Sequence, residues 1–247
     1  MSDFVRIPVG RGTPEGVNSA YVVPDSGVVI DPGPPTDSSW SALRDGIERT
    51  EISVQGIDHV LVTHWHADHA GLACRLADRA NASIHLHEGD AHLVGDYTEA
   101  RQRRLRRDAS ILGRWGVPER IREALLDRDA PSPLPDTYPV QAHEEGDRIA
   151  GIEVVHTPGH TKGHVSFATA ETLFLGDVLL PTYTPNVGEA TRASTIRWRR
   201  TSRRWSGSRP SQRAEPASQV TGRRWTWTRP SKQCENTTTS ERKTRTT

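Results

Sequence analysis

The run Thr63-His64-Trp65-His66-Ala67-Asp68-His69 limits what this chain of 247 residues can fold into more than any other stretch. It stands directly behind Ile57–Val62, a segment carrying Ile, Val and Leu that reads as a buried strand. Three imidazoles and a carboxylate within six positions crowd metal-type donors into one loop. Alternate residues at an extended strand end point the same way, so His64 and His66 can grip a single ion. A helix predicted over 67–79 then turns Asp68 and His69 toward a neighbouring position. A lone His-x-His pair would carry little; the full His-x-His-x-Asp-His cluster is specific.

Three further motifs stand at predicted strand ends. Thr157-Pro158-Gly159-His160-Thr161-Lys162-Gly163-His164 follows Ile152–His156, and Pro158-Gly159 forces a sharp turn that projects His160 as a further ligand. His164 is expected to support that loop by hydrogen bonding. Leu173-Phe174-Leu175-Gly176-Asp177 is an apolar strand ending in Gly-Asp, with Gly176 turning the backbone and Asp177 exposed as a bridging ligand. In Val29-Ile30-Asp31-Pro32-Gly33, Asp31 either shapes a turn or hydrogen-bonds the ligand histidines from behind, and the residues leave both readings open. Cys74 reads as a small core residue.

The surrounding pattern alternates between strands and helices. Phe4–Val9, Asn18–Val23, Gly27–Asp31 and Ser83–His87 read as strands, and Trp40–Arg49 as a helix. Residues 97–127 form a long helical stretch, with Leu105, Ile111, Leu112, Ile121, Leu125 and Leu126 as expected core contacts and Pro118 opening a second helix. Strands resume at Ile152–His156, Val165–Ala168 and Thr172–Leu175. The alternation predicts an α/β fold. Arg101, Arg103, Arg104, Arg106 and Arg107 on the long stretch form either a solvated face paired with acids or a site for a substrate carboxylate or phosphate.

Taken in order, His64, His66, Asp68, His69, His160 and Asp177 resemble the metallo-β-lactamase superfamily over about residues 4–190. The resemblance implies an αββα four-layer sandwich with metals at one edge, between the two sheets. It implies that His64, His66 and His160 hold one ion, that Asp68 and His69 hold a second, and that Asp177 bridges both. Thr157–His164 most resembles the hydroxyacylglutathione-hydrolase-like branch, which cleaves small thioesters, esters and lactones. The implied chemistry is attack by a metal-bound hydroxide, with Asp68 orienting it or passing a proton to the leaving group. Two divalent ions are expected, zinc foremost, although iron or manganese suits such a mixed His/Asp site. Two alternatives stand beside this: a phosphodiesterase or nuclease of the same superfamily, and a metal-binding protein without turnover.

The segment 191–247 departs from the pattern. It lacks Leu, Phe, Tyr and Asp yet holds four of the seven tryptophans. The net charge of +1 conceals a balance of −11 over residues 1–190 and +12 over residues 191–247. The resemblance implies one more metal-binding histidine in a Pro-Gly-His-Gly-like turn, but residues 178–247 contain none, so the second ion's site is weakened. Written with codons ending in G or C, Ser218–Gly222 reads Pro-Gly-His-Gly two bases later, and two further fragments yield helix-like sequence in the same frame. The expectation is a domain over 1–190 and a frameshifted, disordered tail over 191–247, with the sandwich incomplete at that end and turnover impaired. The competing reading is a genuine basic arm whose arginines and tryptophans bind nucleic acid. Otherwise the expected partner is a small-molecule substrate. No apolar run approaches membrane-spanning length, Cys74 and Cys234 suggest no disulfide framework, and the N-terminus lacks a secretion pattern, which together predict a cytoplasmic protein.

Overall fold

In the computed structural model, which describes residues 4–10 and 16–180, the β-branched runs near the N-terminus pair with one another. Strands β1 (Val5–Pro8), β2 (Ser19–Val23) and β3 (Val28–Ile30) form an antiparallel meander. Strands β4 (His59–Leu61), β5 (Ser83–His87) and β6 (Val140–His143) extend it in parallel, in the order β1-β2-β3-β4-β5-β6. A second, antiparallel sheet runs β10-β9-β8-β7, from β7 (Arg148–Ile149), β8 (Ile152–His156), β9 (Val165–Ala168) and β10 (Leu173–Phe174).

Strand alternation sorts the apolar side chains into two cores. Val29, Val60, Ile84 and Leu86 face helices α1 (Asp37–Ile47), α2 (Ala67–Ala70) and α3 (Ala73–Ala80), packing with Leu43, Ile47, Ala70, Leu76 and Ala77. Val28, Ile30 and Leu61, one residue out of step, pack between the sheets with Ile152, Val154, Val165 and Phe167. These are one helix layer and the two sheet layers of the αββα sandwich. The helix-to-strand packing among the described residues falls on β1, β4, β5 and β6. The tail over 191–247 lies outside the described residues.

The helix predicted over 67–79 is two helices. Gly71 sits at the break, where a Cβ would lie 2.2 Å from the Ala67 carbonyl oxygen and 2.4 Å from Pro35 Cδ. The turn after β3 occupies that space: Gly33 N donates to His69 O at 3.1 Å, and Leu72 N donates to Gly33 O at 2.9 Å. The loop bearing Asp31 is thereby fastened across the helix that carries Asp68 and His69.

Helices α4 (Glu88–Gly95), α5 (Tyr97–Arg114) and α6 (Glu119–Asp127) connect β5 to β6, with Pro118 capping α6. The core role expected for Leu105, Ile111, Leu112, Ile121, Leu125 and Leu126 is not observed. None of them is buried, and Leu125 is 48% exposed. The buried residues of α5 are Tyr97 and Ala100, at its first turn. Beyond that turn α5 packs against α6, so the apolar period records a helix-to-helix contact and not attachment to the sandwich. No helix among the described residues is long and apolar enough to cross a membrane.

Candidate metal centre

The predicted donors follow the C-terminal ends of strands, His64 and its neighbours after β4, His160 after β8 and Asp177 after β10, and Asp31 follows β3. Because β3 and β4 are parallel and β8 and β10 belong to the facing sheet, these ends meet at one edge of the sandwich. His66 Nδ1 lies 3.0 Å from His64 Nε2 and 2.9 Å from His160 Nε2. His64, His66 and His160 can each offer a ligand atom within 4.8 Å of the others, and so can His64, His69 and Asp177. Asp177 reaches both groups, with Oδ1 3.2 Å from His69 Nε2 and Oδ2 3.6 Å from His160 Nε2. Asp68 stands beside them without joining either group. Its Oδ2 is 3.5 Å from His69 Nε2, and its side chain is 42% exposed.

A layer of hydrogen bonds aims these side chains. Asp31 Oδ1 accepts from Thr63 N at 2.8 Å, while Oδ2 accepts from Thr63 Oγ1 at 2.8 Å and lies 2.9 Å from His69 Nδ1. Of the two readings the sequence left open for Asp31, the geometry joins both: a turn residue at φ 50° whose carboxylate orients His69. His164 Nε2 accepts from Asp177 N at 3.0 Å, leaving Nδ1–H to donate to Thr157 Oγ1 at 2.9 Å. His164 therefore ties the strand end after β8 to the one after β10. Cys74 is buried in the helix-side core.

Two supporting residues escaped sequence reasoning. Asn18 Nδ2 donates to Asp68 Oδ2 at 2.9 Å and to Asp68 O at 3.2 Å. Asp90, wholly buried on α4, accepts from Thr161 Oγ1 at 2.5 Å and Gly163 N at 2.7 Å, and also from the backbone of Trp65. One carboxylate thus fastens the His64–His66 loop to the His160 loop. The packing is tight enough that a Cβ on Gly163 would lie 2.4 Å from Asp90 N.

Burial sets the protonation of the cluster. It pushes the His64 pKa well below its usual range, helped by the neighbouring imidazoles, and lowers His66 to about 4, helped most by His160. Both rings are held neutral, the form in which an imidazole ligates metal. Burial also opposes a charge on His69, but Asp31 and Asp177 outweigh it and hold His69 well above the usual range. Burial would raise Asp177, yet the His69 hydrogen bond keeps its carboxyl low. Neutral imidazoles facing one another at hydrogen-bond distance, flanked by ionised carboxylate, fit a divalent cation in both ligand chemistry and charge.

The sequence profile of the metallo-beta-lactamase superfamily matches residues 12–218. The chain belongs to this superfamily. The match runs past residue 190 into the basic segment. Among superfamily relatives, the chain is 26% identical to a probable metallo-hydrolase of Methanocaldococcus jannaschii, over 66% of each sequence. It is 28% identical to a hydroxyacylglutathione hydrolase of Haemophilus influenzae, over 61% of this chain and 60% of that enzyme. It spans 62% of a probable metallo-hydrolase of Bacillus subtilis at 28% identity, covering 78% of its own length. The crystal structure of a metallo-beta-lactamase family protein from Thermus thermophilus superposes with a TM-score of 0.58 at 25% identity, over 76% of this chain and 63% of that one. The chain spans about two thirds or less of the length of these relatives.

Proposed function

We propose that the chain is a hydrolase of a small thioester, ester or lactone that uses two divalent ions, zinc foremost. In this reading His64, His66 and His160 would hold one ion, Asp68 and His69 the other, with Asp177 within reach of both sets of ligands. The observation that carries it is the convergence of imidazole and carboxylate donors from three strand ends, after β4, β8 and β10, at one edge. Divalent ions bound there would supply an acidified water and polarise a carbonyl oxygen. The chain's own residues position and move protons. Asp31 fixes the His69 ring, and His164 holds the backbone of Asp177. Asp68, solvent-accessible and steadied by Asn18, is placed to orient the attacking water or to relay a proton to the leaving group. The likeness to a hydroxyacylglutathione hydrolase and the wording of Thr157–His164 support the thioester and ester class over phosphodiesters.

Metal content and turnover of the purified chain test this reading together. The expected result is two ions per chain and hydrolysis of thioesters or lactones, abolished by a chelator and in His66→Ala. Cleavage of phosphodiesters alone moves the chain to the nuclease class. A second reading, metal binding without turnover, is favoured by the lack of any histidine in residues 178–247. One ion per chain with no hydrolysis establishes it. Resequencing the coding DNA from codon 185 tests the proposed frameshift; a neighbouring frame that encodes Pro-Gly-His-Gly supports it, and the lack of such a frame refutes it.

A further inference from the structure

The insertion between β5 and β6 builds a cavity of about 120 Å³ beside the metal centre. Trp65 belongs to both places: it lines the cavity, and its indole packs edge-on against His66 with ring centroids 4.9 Å apart. Two N–H groups on the lining residues, Trp65 Nε1 and Arg101 Nε, are buried and have no acceptor among the described residues. Buried donors without acceptors are rare in native proteins and call for a partner such as a water, an ion or a ligand.

Charge in the cavity points to the same partner. Arg101 bonds the Asp129 carbonyl and lies 3.1 Å from Asp129 Oδ2, while Arg104 donates to the two Asp129 carboxylate oxygens at 2.7 and 2.8 Å. Asp108, 4.0 Å from Arg104, is itself shared with Arg107 at 3.1 Å. The cavity lining itself thus holds two guanidiniums, Arg101 and Arg104, and one carboxylate, Asp129. A guanidinium with an unused N–H and an indole N–H on the lining of one cavity together suit a planar anion with two acceptor oxygens.

We infer that this cavity is an acid-binding subsite, in which Trp65 Nε1 and Arg101 Nε receive one carboxylate of the substrate. The remainder of the molecule reaches past Trp65 to the donors around His66. The inference rests on the hydrolase reading and narrows it to thioesters or esters that carry a free carboxylate. A monoanion matches the small surplus of positive charge better than a phosphate dianion does, and Leu93 and Ala100 offer apolar wall to a short carbon chain.

The test is a titration of the metal-loaded, full-length chain with propionate, propionamide and inorganic phosphate, following the indole N–H resonance of Trp65. The resonance is assigned by its loss in Trp65→Phe. Propionate is expected to shift it, propionamide to leave it in place, and phosphate to bind at least about tenfold more weakly. Arg101→Gln is expected to abolish the propionate shift and Arg101→Lys to weaken it, so a poorly folded first variant does not decide the matter. A resonance that ignores propionate, or follows propionamide equally, overturns the subsite, as does a propionate shift that survives in folded Arg101→Gln. Phosphate binding as tightly as propionate overturns the carboxylate assignment. Because the readout is binding, a propionate shift in a chain without turnover separates failure of the hydrolase reading from failure of the subsite. Where turnover is present, kcat/KM for a carboxylate-bearing ester over that for its amide-capped analogue is expected to exceed about tenfold and to approach unity in Arg101→Gln.

Discussion

Asp31 adopts φ 50°, a left-handed backbone that Asp and Asn tolerate better than most residues. That conformation lets one carboxylate serve the Thr63 backbone, the Thr63 hydroxyl and the His69 ring at once. Asp31→Asn keeps the backbone tolerance and the shape but removes the charge. It is expected to fold normally and to bind divalent metal about 10–100-fold more weakly, as outer-layer partners of metal ligands do; competition with a chelating dye measures this, and unchanged affinity would reduce Asp31 to a turn residue. Asp90 invites the complementary test. Asp90→Ala strands three buried donors and is expected to cost about 3 kcal/mol in urea unfolding of chelator-treated protein. The candidate donors His64, His66, Asp68, His69, His160 and Asp177 were legible because residue type and spacing carry their chemistry. Asn18 and Asp90 were not: their partners lie 50 and 71 positions away, and an isolated Asn or Asp reads as any polar surface residue.

Element boundaries tell a similar story. β5, β8 and β9 lie where alternating and apolar runs placed them, since strand period and burial agree there. The break between α2 and α3 was hidden because it lies where Gly71 adjoins Pro35 and Leu72 N bonds Gly33 O, contacts between segments. Strands β6 and β7 and helix α4 were missed altogether, being short and stabilised by neighbours more than by their own pattern. The α5–α6 pair was found as helix but misjudged as core. Leu76, fully buried on α3, and Leu125, 48% exposed on α6, make the distinction measurable. Leu76→Ala is expected to destabilise by about 2–5 kcal/mol, Leu125→Ala by less than about 1 kcal/mol. Equal losses in thermal or urea unfolding would place the hairpin in the core after all.

Histidines outside the metal centre line the gap between the sheets. His59 Nδ1 meets His85 Nε2 at 3.0 Å, His85 Nδ1 meets His143 Nε2 at 2.9 Å, and His87 stacks on His156 at 3.9 Å. Burial lowers His85 to about 4, with His143 and His59 adding to it, and lowers His87 to about 4, with His156 adding. His164 is lowered to about 3, again by burial first. Unfolded histidines titrate near about 6.5, so between that pH and these folded values the unfolded chain binds more protons and stability falls as pH falls. His69 opposes this, since its raised pKa contributes stability below about 6.5 that is lost on passing above its folded value. The lowered groups outnumber it, and the melting temperature of chelator-treated protein is expected to drop between pH 7 and pH 5. A constant melting temperature over that range would contradict the burial of these rings.

The sequence by itself determined the superfamily, the order of strands and helices that carry the motifs, and the donor residues offered for metal, because those properties reside in residue type and in spacing along one segment. Tertiary structure decided which donors meet, with His64 common to both groups and Asp68 bonded by Asn18 beside His69. It decided that Asp31 serves a histidine as well as a turn, that Asp90 locks two loops together, and that Trp65 and Arg101 share a cavity. Each of those outcomes is a distance between segments far apart in the chain, fixed by how strands pair and sheets pack, and no local pattern encodes it.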